Sequence, residues 1–347
     1  MKQIRVGYFA GGDPLAVIQA IKKAEDAGFD EAWMGDHFTS WFPEKPFGET
    51  WSVLCAAAVS TSKIKLGTGV TDPFRRGPAL LAQSAATLDR ISRGRGILGI
   101  GCGEPMNLLP FGIQWKKPLS QLKETVFLIR ELWKSSFQNP LTYSGSFTQF
   151  DGAYLQIRPA RSSMPIYLGG SGPRLRALAG EVADGWFAYV HSPETYAEDV
   201  RELFEAASLS GRTEDQVDTT AFFHCAIGKD SDAAREVVSL PAAIALILSN
   251  DKLVKLGQHI EVPKELSLSN VVMKKEQLES LVKFAKQIPN EAIEKVAAFG
   301  TPDQIVARME KYARAGAKSL VFSILGNDLE RSFEIFSRDI IPRLREI

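Results

Sequence analysis

The stretch Ala32-Trp33-Met34-Gly35-Asp36-His37-Phe38-Thr39-Ser40-Trp41, residues 32–41, ends a short apolar strand and then sets a carboxylate, an imidazole and an indole within six residues. In α/β proteins the C-terminal ends of parallel strands form the edge where ligands bind. Outward from this turn the chain alternates strand and helix. Residues 4–9 form a β-rich run ending in Ala10-Gly11-Gly12-Asp13-Pro14. Pro14 opens a helix with Leu15, Ile18, Ile21 and Ala24 at helical spacing and Gly28 beyond its end. After the strand at 31–34, further strands are predicted at 64–70, 96–101, 165–168, 184–189, 219–227 and 319–325. Helices are predicted at 51–60, 79–91, 119–133, 173–180, 193–209, 302–315 and 329–345, with Thr301 as an N-cap. Residues 142–157 read as a small β excursion and 230–285 as a mainly helical insertion, placed most naturally over the rim. Eight strand–helix alternations with right-handed crossovers predict a closed (β/α)8 TIM barrel, one domain over 1–347. A doubly wound sheet would carry a phosphate loop after the first strand, and the Gly-Gly-Asp-Pro turn lacks that spacing.

Bulk properties agree with a large globular core. The chain has 347 residues, 45% of them hydrophobic and 24% charged. Forty-one basic residues balance 41 acidic ones, so there is no electrostatic case for nucleic acid or an anionic membrane. Cys55, Cys102 and Cys225 are scattered without a CxxC, and His37, His191, His224 and His259 are dispersed without an HExxH, which predicts neither disulfides nor a metal site. The opening residues run into a strand without an apolar signal core, and no apolar run is long enough for a bilayer. A soluble, cytoplasmic protein is expected.

Four strand ends carry chemistry. His37 can exchange a proton near neutral pH, or can be a ring hydrogen-bonded into its loop. Asp36 can orient that ring, ligate a cofactor hydroxyl or cap a turn, and Trp41 can wall a pocket or belong to the core. Gly67-Thr68-Gly69-Val70 lets the backbone approach something flat, or simply packs a barrel strand. Gly101-Cys102-Gly103-Glu104 clears space and then projects a carboxylate, with Asn107 offering a donor and an acceptor in the same turn. Gly169-Gly170-Ser171-Gly172-Pro173 exposes backbone N–H groups at a helix start, which suits an anion, or is a plain connection. Arg174 and Arg176 follow it, as Arg commonly does on helix surfaces. A GxSxG nucleophile elbow is absent.

In order and spacing, the Gly-Asp-His-Phe turn, Gly-Thr-Gly-Val, Gly-Ile-Gly-Cys-Gly-Glu and Gly-Gly-Ser-Gly-Pro resemble the bacterial luciferase-like superfamily, in its branch that uses the deazaflavin coenzyme F420. Within that branch the chain looks most like secondary alcohol and glucose-6-phosphate dehydrogenases. It is also similar to lipid ketoreductases and to methylenetetrahydromethanopterin reductase-like proteins. The resemblance implies a barrel with the coenzyme at its C-terminal rim and hydride transfer between the deazaflavin C5 and an alcohol or carbonyl carbon. His37 would move the substrate proton, Glu104 would support protonation of the coenzyme, and Trp41 would stabilise the bound intermediate. Asp13 stands where the dehydrogenases have a catalytic Glu. The coenzyme would be held by Asp36, by Thr68, Gly69 and Val70 (with a cis Gly69–Val70 peptide), by Cys102, Gly103 and Asn107, and by Gly169, Gly170, Ser171 and Gly172 around its phosphate. Pterin reductases usually have Gly-Pro-Gly-Asp at the strand-four turn, so pterin reduction ranks second. FMN-dependent monooxygenation and a non-catalytic flavin-binding barrel are the remaining alternatives. Homodimers are usual in the family. Lys252, Lys255 and Lys274 in the insertion can bind a sugar phosphate or form a solvated helix face.

Overall fold

The computed structural model describes residues 3–347; Met1 and Lys2, which lead into the predicted first strand, lie outside the described residues. Eight parallel strands form the barrel: β1 (Arg5–Ala10), β2 (Glu31–Met34), β3 (Lys65–Thr68), β4 (Gly96–Gly101), β5 (Ile166–Gly169), β6 (Gly185–Tyr189), β7 (Asp218–Ile227) and β8 (Ser319–Ile324). Each pairs with the next, and β8 returns to β1 with Arg5 opposite Ser319 and Tyr8 opposite Phe322. The sheet is therefore closed, a (β/α)8 barrel. The excursion is an antiparallel hairpin of Leu141–Ser144 and Gln149–Ala153.

Two apolar shells hold the barrel. Outward-facing strand residues pack under α1 (Pro14–Asp26), α2 (Thr50–Ser60), α3 (Pro78–Ile91), α4 (Pro118–Lys134), α5 (Pro173–Val182) and α6 (Pro193–Leu209). Fully buried side chains such as Ile21, Leu54, Leu81, Leu128 and Leu203 each contribute about 1.5–3 kcal/mol. Inside the barrel Trp33, Ile97, Tyr167, Phe187, Phe222 and Val321 fill the lumen. Gly67 is required beside them, because a Cβ there would lie 2.6 Å from the Trp33 ring. The bottom is closed by polar groups: Glu31 accepts from Arg5, from Trp33 Nε1 (3.1 Å) and from Ser319 Oγ (3.1 Å), while Arg5 and Tyr167 also meet Asp218. The lumen is thus filled and closed below, toward the N-terminal ends of the strands.

The segment after β7 is helical and runs past residue 285. It comprises α7 (Ser231–Leu248), α8 (Asn250–Lys255), α9 (Lys275–Ala285) and α10 (Asn290–Val296), the last beyond residue 285. A short strand, Ala298–Gly300, then pairs parallel to β7. The insertion has its own apolar cluster, including Val238, Leu246, Ile247, Leu281 and Ile293, against which Trp41 and Tyr189 pack from the rim. Thr301 caps α11 (Pro302–Arg314) in a reciprocal box with Gln304. The last helix departs from the predicted continuous 329–345: α12 (Leu329–Ile335) gives way to a π-turn at Phe336–Ile340. Pro342 lacks the N–H that a regular ladder needs there.

Candidate active site

The turn after β2 is tied down from two sides. Asp36 is buried, and its carboxylate accepts from Thr71 Oγ1 (2.6 Å), Arg76 Nη1 (3.0 Å) and Arg75 Nη1 (3.3 Å). Arg75 also holds Asp72 and the Asp36 carbonyl. Asp36 thus anchors the turn with protein cations. Next along, Asn107 Oδ1 accepts the backbone N–H groups of Phe38 (2.8 Å) and Thr39 (3.1 Å), and its Nδ2 donates to Glu104 Oε2 (3.2 Å). Asn107, placed by sequence toward the cofactor, is 2% exposed and spends both polar ends on protein. It brings two rim turns together: His37 Nε2 stands 4.0 Å from Glu104 Oε2, and both side chains keep part of their surface open.

The ends of β3 and β4 interlock. The ladder stops at Thr68, earlier than the predicted 64–70, and the Gly69–Val70 peptide is cis. Thr68 Oγ1 donates to the Gly99 carbonyl (2.7 Å) and accepts from its N–H (3.0 Å). Glycine is required at 99, where a Cβ would stand 2.0 Å from the Thr68 carbonyl oxygen; Val70 fills the space left bare by Gly99, Gly101 and Gly169. The glycines of β4 are therefore there to admit Val70 and the Thr68 backbone. Cys102 is partly buried, and burial pushes its thiol up to about 11, so it stays protonated. Gly103 takes φ +73° at the start of the Glu104 turn.

The turn after β5 is the open one. Gly170 adopts φ +145°, and its carbonyl accepts from Trp186 Nε1 (2.7 Å). Ser171 Oγ donates to the Tyr189 carbonyl (2.9 Å). Gly172 begins α5 without a side-chain cap, is exposed, and has nothing within 4 Å of where a Cβ would stand. Behind the turn lies a charge cluster. Arg176 is 2% exposed, not a surface residue as its type suggests. It donates to the Ser171 carbonyl (2.7 Å) and pairs with Asp199 (3.1 Å) and Glu202. Asp199 Oδ2 also meets His191 Nε2 (2.8 Å) and Lys252 Nζ (2.9 Å), and Lys255 reaches its Oδ1 at 3.6 Å. Burial raises the Asp199 carboxyl, but His191 and Lys252 more than offset this and hold it low; burial pulls the His191 ring down to about 4.

Other candidates fall elsewhere. Asp13 is exposed and caps α1, accepting from the N–H groups of Leu15 (3.0 Å) and Ala16 (3.2 Å). Trp41 is half-buried on the insertion cluster. Lys252, read as a possible solvated lysine, is buried on Asp199, whereas Lys274 is exposed at the start of α9. Among the described residues no three His, Cys, Asp or Glu side chains are grouped to hold a metal ion. Sequence reading missed Asp199, Lys252 as its partner, Asn107 as a bridge, and the Tyr189–His224 contact. His191 carried a signal: like His37 it follows a barrel strand end.

A closed parallel barrel with a polar, partly open C-terminal rim and a tied-in helical insertion defines a class of (β/α)8 ligand-binding proteins. The luciferase-like monooxygenase family model matches residues 2–319, and the chain belongs to that family. The chain is 32% identical to the 5,10-methylenetetrahydromethanopterin reductase of Archaeoglobus fulgidus, over 94% of each chain. It is 30% identical to the F420-dependent glucose-6-phosphate dehydrogenase of Microbacterium testaceum, over 99% of this chain and 98% of that one. An F420-dependent secondary alcohol dehydrogenase, solved with an F420–acetone adduct, superposes with a TM-score of 0.86 at 25% identity, covering 99% of this chain and 100% of that one.

Proposed function

We propose that this protein is a coenzyme F420-dependent oxidoreductase that interconverts an alcohol and a carbonyl group on a small substrate. The observation that carries the reading is the His37–Glu104 pair at 4.0 Å, clamped through Asn107 at the rim. Its relatives in the F420-dependent branch support the choice of coenzyme.

The residues present fit such a group. The uncapped start of α5 and the clear space at Gly172 suit a phosphate, with Arg174 exposed alongside. Gly69 and Val70 present backbone at the rim between the two clamped turns. When bound, F420 supplies a hydride donor or acceptor at its deazaflavin C5. His37 accepts the hydroxyl proton of an alcohol at Nε2, or returns it to the oxygen in the ketone direction. Glu104 compensates the charge of the protonated ring and is itself aimed by the Asn107 amide. Asp36, locked by Thr71, Arg75 and Arg76, fixes the backbone from which His37 projects. Trp41, backed by the insertion, walls the substrate side. Asp13 is the weakest member, since its short side chain already caps α1.

His37→Ala is expected to cut turnover by about 10²–10⁴-fold while leaving F420 affinity nearly intact. Equal loss of both refutes the role. Tight FMN binding without F420 binding in a fluorescence titration would replace the coenzyme assignment with FMN. Pterin C–N reduction is the second reading, favoured by the 32% identity to the archaeal reductase; turnover of the methylene pterin, and none of any alcohol or ketone, would select it. The same reading has the protein work in the cytoplasm as a homodimer, for which the exposed Val59 of α2 and Leu80 of α3 offer apolar surface; sedimentation at micromolar concentration tests the dimer.

A further inference from the structure

Across the lumen from the clamped turns, the ends of β6 and β7 carry a pair that the mechanism above does not use. Tyr189 and His224 project from their strands on the same face as Phe187 and Phe222, into the barrel. The Tyr189 hydroxyl and His224 Nε2 are 2.8 Å apart. Phe222 packs against both rings, at 4.9 and 5.6 Å between centroids, and also against Phe9 at 4.6 Å. Phe9 in turn reaches within 3.0 Å of where a Gly69 Cβ would be. One aromatic floor therefore runs from Gly69 to the pair. Burial, and after it the charge of Glu104, push the Tyr189 phenol up. Val190, immediately after Tyr189, holds φ +61°, a conformation a β-branched residue adopts only where its surroundings enforce it.

The direction of the hydrogen bond follows from what His224 lacks. Its Nδ1 is enclosed and makes no hydrogen bond. Burial pulls the ring down to about 4, so at neutral pH it carries a single proton. A buried N–H without a partner is rarer and costlier than a bare lone pair. The proton therefore sits on Nε2 and is donated to the Tyr189 oxygen. That leaves the phenolic O–H free, and Tyr189 keeps part of its surface exposed.

We infer that Tyr189 donates a hydrogen bond to the carbonyl or hydroxyl oxygen of an uncharged substrate, and that His224 positions the phenol for it. The inference rests on the alcohol–carbonyl reading and deepens it, because a neutral donor over an aromatic floor suits a ketone.

The test is calorimetric titration of cyclohexanone into protein saturated with oxidised F420. Wild type, Tyr189→Phe, His224→Leu and His224→Gln are compared, and F420 affinity is measured separately for each. Cyclohexanone affinity is expected to fall about tenfold in Tyr189→Phe and His224→Leu. It should be largely restored in His224→Gln, whose side-chain N–H can again donate to the phenol. F420 affinity is expected to stay unchanged in all four. Absence of ketone binding by the F420-loaded wild type overturns the inference, as does equal affinity in wild type and Tyr189→Phe. Equal affinities in the two His224 variants remove the positioning role. Failure of the wild type to bind F420 is a separate result, and it overturns the underlying reading instead.

Discussion

Lowering the pH from 7 toward 4 should withdraw one identifiable contribution to stability, that of neutral His191. The ring is 4% exposed, with Nε2 facing both Asp199 and Lys252. Burial opposes its protonation most; the Asp199 bond partly offsets this, while Lys252 and Arg176 add to it, and the ring titrates at about 4. In the unfolded chain the same ring titrates near the ordinary value of about 6.5. The folded value is the lower one. Below pH 6.5 the unfolded chain therefore takes up a proton that the folded chain refuses, and stability falls with acidification until about pH 4. The full difference corresponds to about 3 kcal/mol, or about 4 °C in the unfolding midpoint of a chain this long. Asp199, whose folded carboxyl is also held low, contributes stability that is present above the ordinary carboxylate range and is lost only at still lower pH. The two groups thus act in successive windows. The assay is the thermal midpoint by circular dichroism from pH 7.5 to 4.5, for wild type and His191→Gln, whose amide N–H can still donate to Asp199. The wild-type midpoint should fall relative to the variant across that range. Parallel curves would refute the assignment of a buried neutral imidazole.

Three further outcomes are expected. Asn107→Ala removes the acceptor of the Phe38 and Thr39 N–H groups and the donor to Glu104, so it should lower stability by about 1–3 kcal/mol in urea titrations and also reduce turnover. Gly99→Ala puts a methyl group 2.0 Å from the Thr68 carbonyl oxygen and should leave little soluble, folded protein; normal yield and midpoint would show that β3 and β4 can separate. Arg176→Met frees the Ser171 carbonyl and leaves Asp199 short of a partner; F420 affinity should drop about tenfold, with a smaller change in turnover at saturating coenzyme.

The barrel was legible because its signals are periodic and local. Short apolar strands, Pro at helix starts and Gly at strand ends state the alternation without help from tertiary contacts, and β2, β4 and α6 fall where their residues predict. The predicted third strand overshoots because Gly69 and Val70 have strand-like neighbours, while the chain leaves the ladder at Thr68. His37 and Glu104 could be read because each follows directly on a strand end. Asn107 was visible as a residue but not as a bridge, since its partners Phe38 and Thr39 lie 69 and 68 residues away. Arg176 and Lys252 look like surface cations in sequence. Only folding brings them to Asp199, which lies 53 residues from Lys252. The Tyr189–His224 bond likewise joins two strands that no local pattern relates.

These long-range pairs divide the site into two faces. The turns of β2, β3 and β4 are tied to one another by Asn107, Asp36 and Thr68, and they carry the proton-transfer groups of the proposed reaction. The ends of β6 and β7 lie against the insertion, which also backs Trp41 of the β2 turn: Tyr189 packs on its apolar cluster, and Lys252 pins α8 to Asp199 beneath the Ser171 turn. A change on the first face should alter the rate with every substrate, whereas a change on the second should alter which substrate is taken. If both proposals hold, Tyr189→Phe should weaken ketone affinity with little change in turnover at saturation, and His37→Ala should do the reverse; the opposite pattern would refute the division.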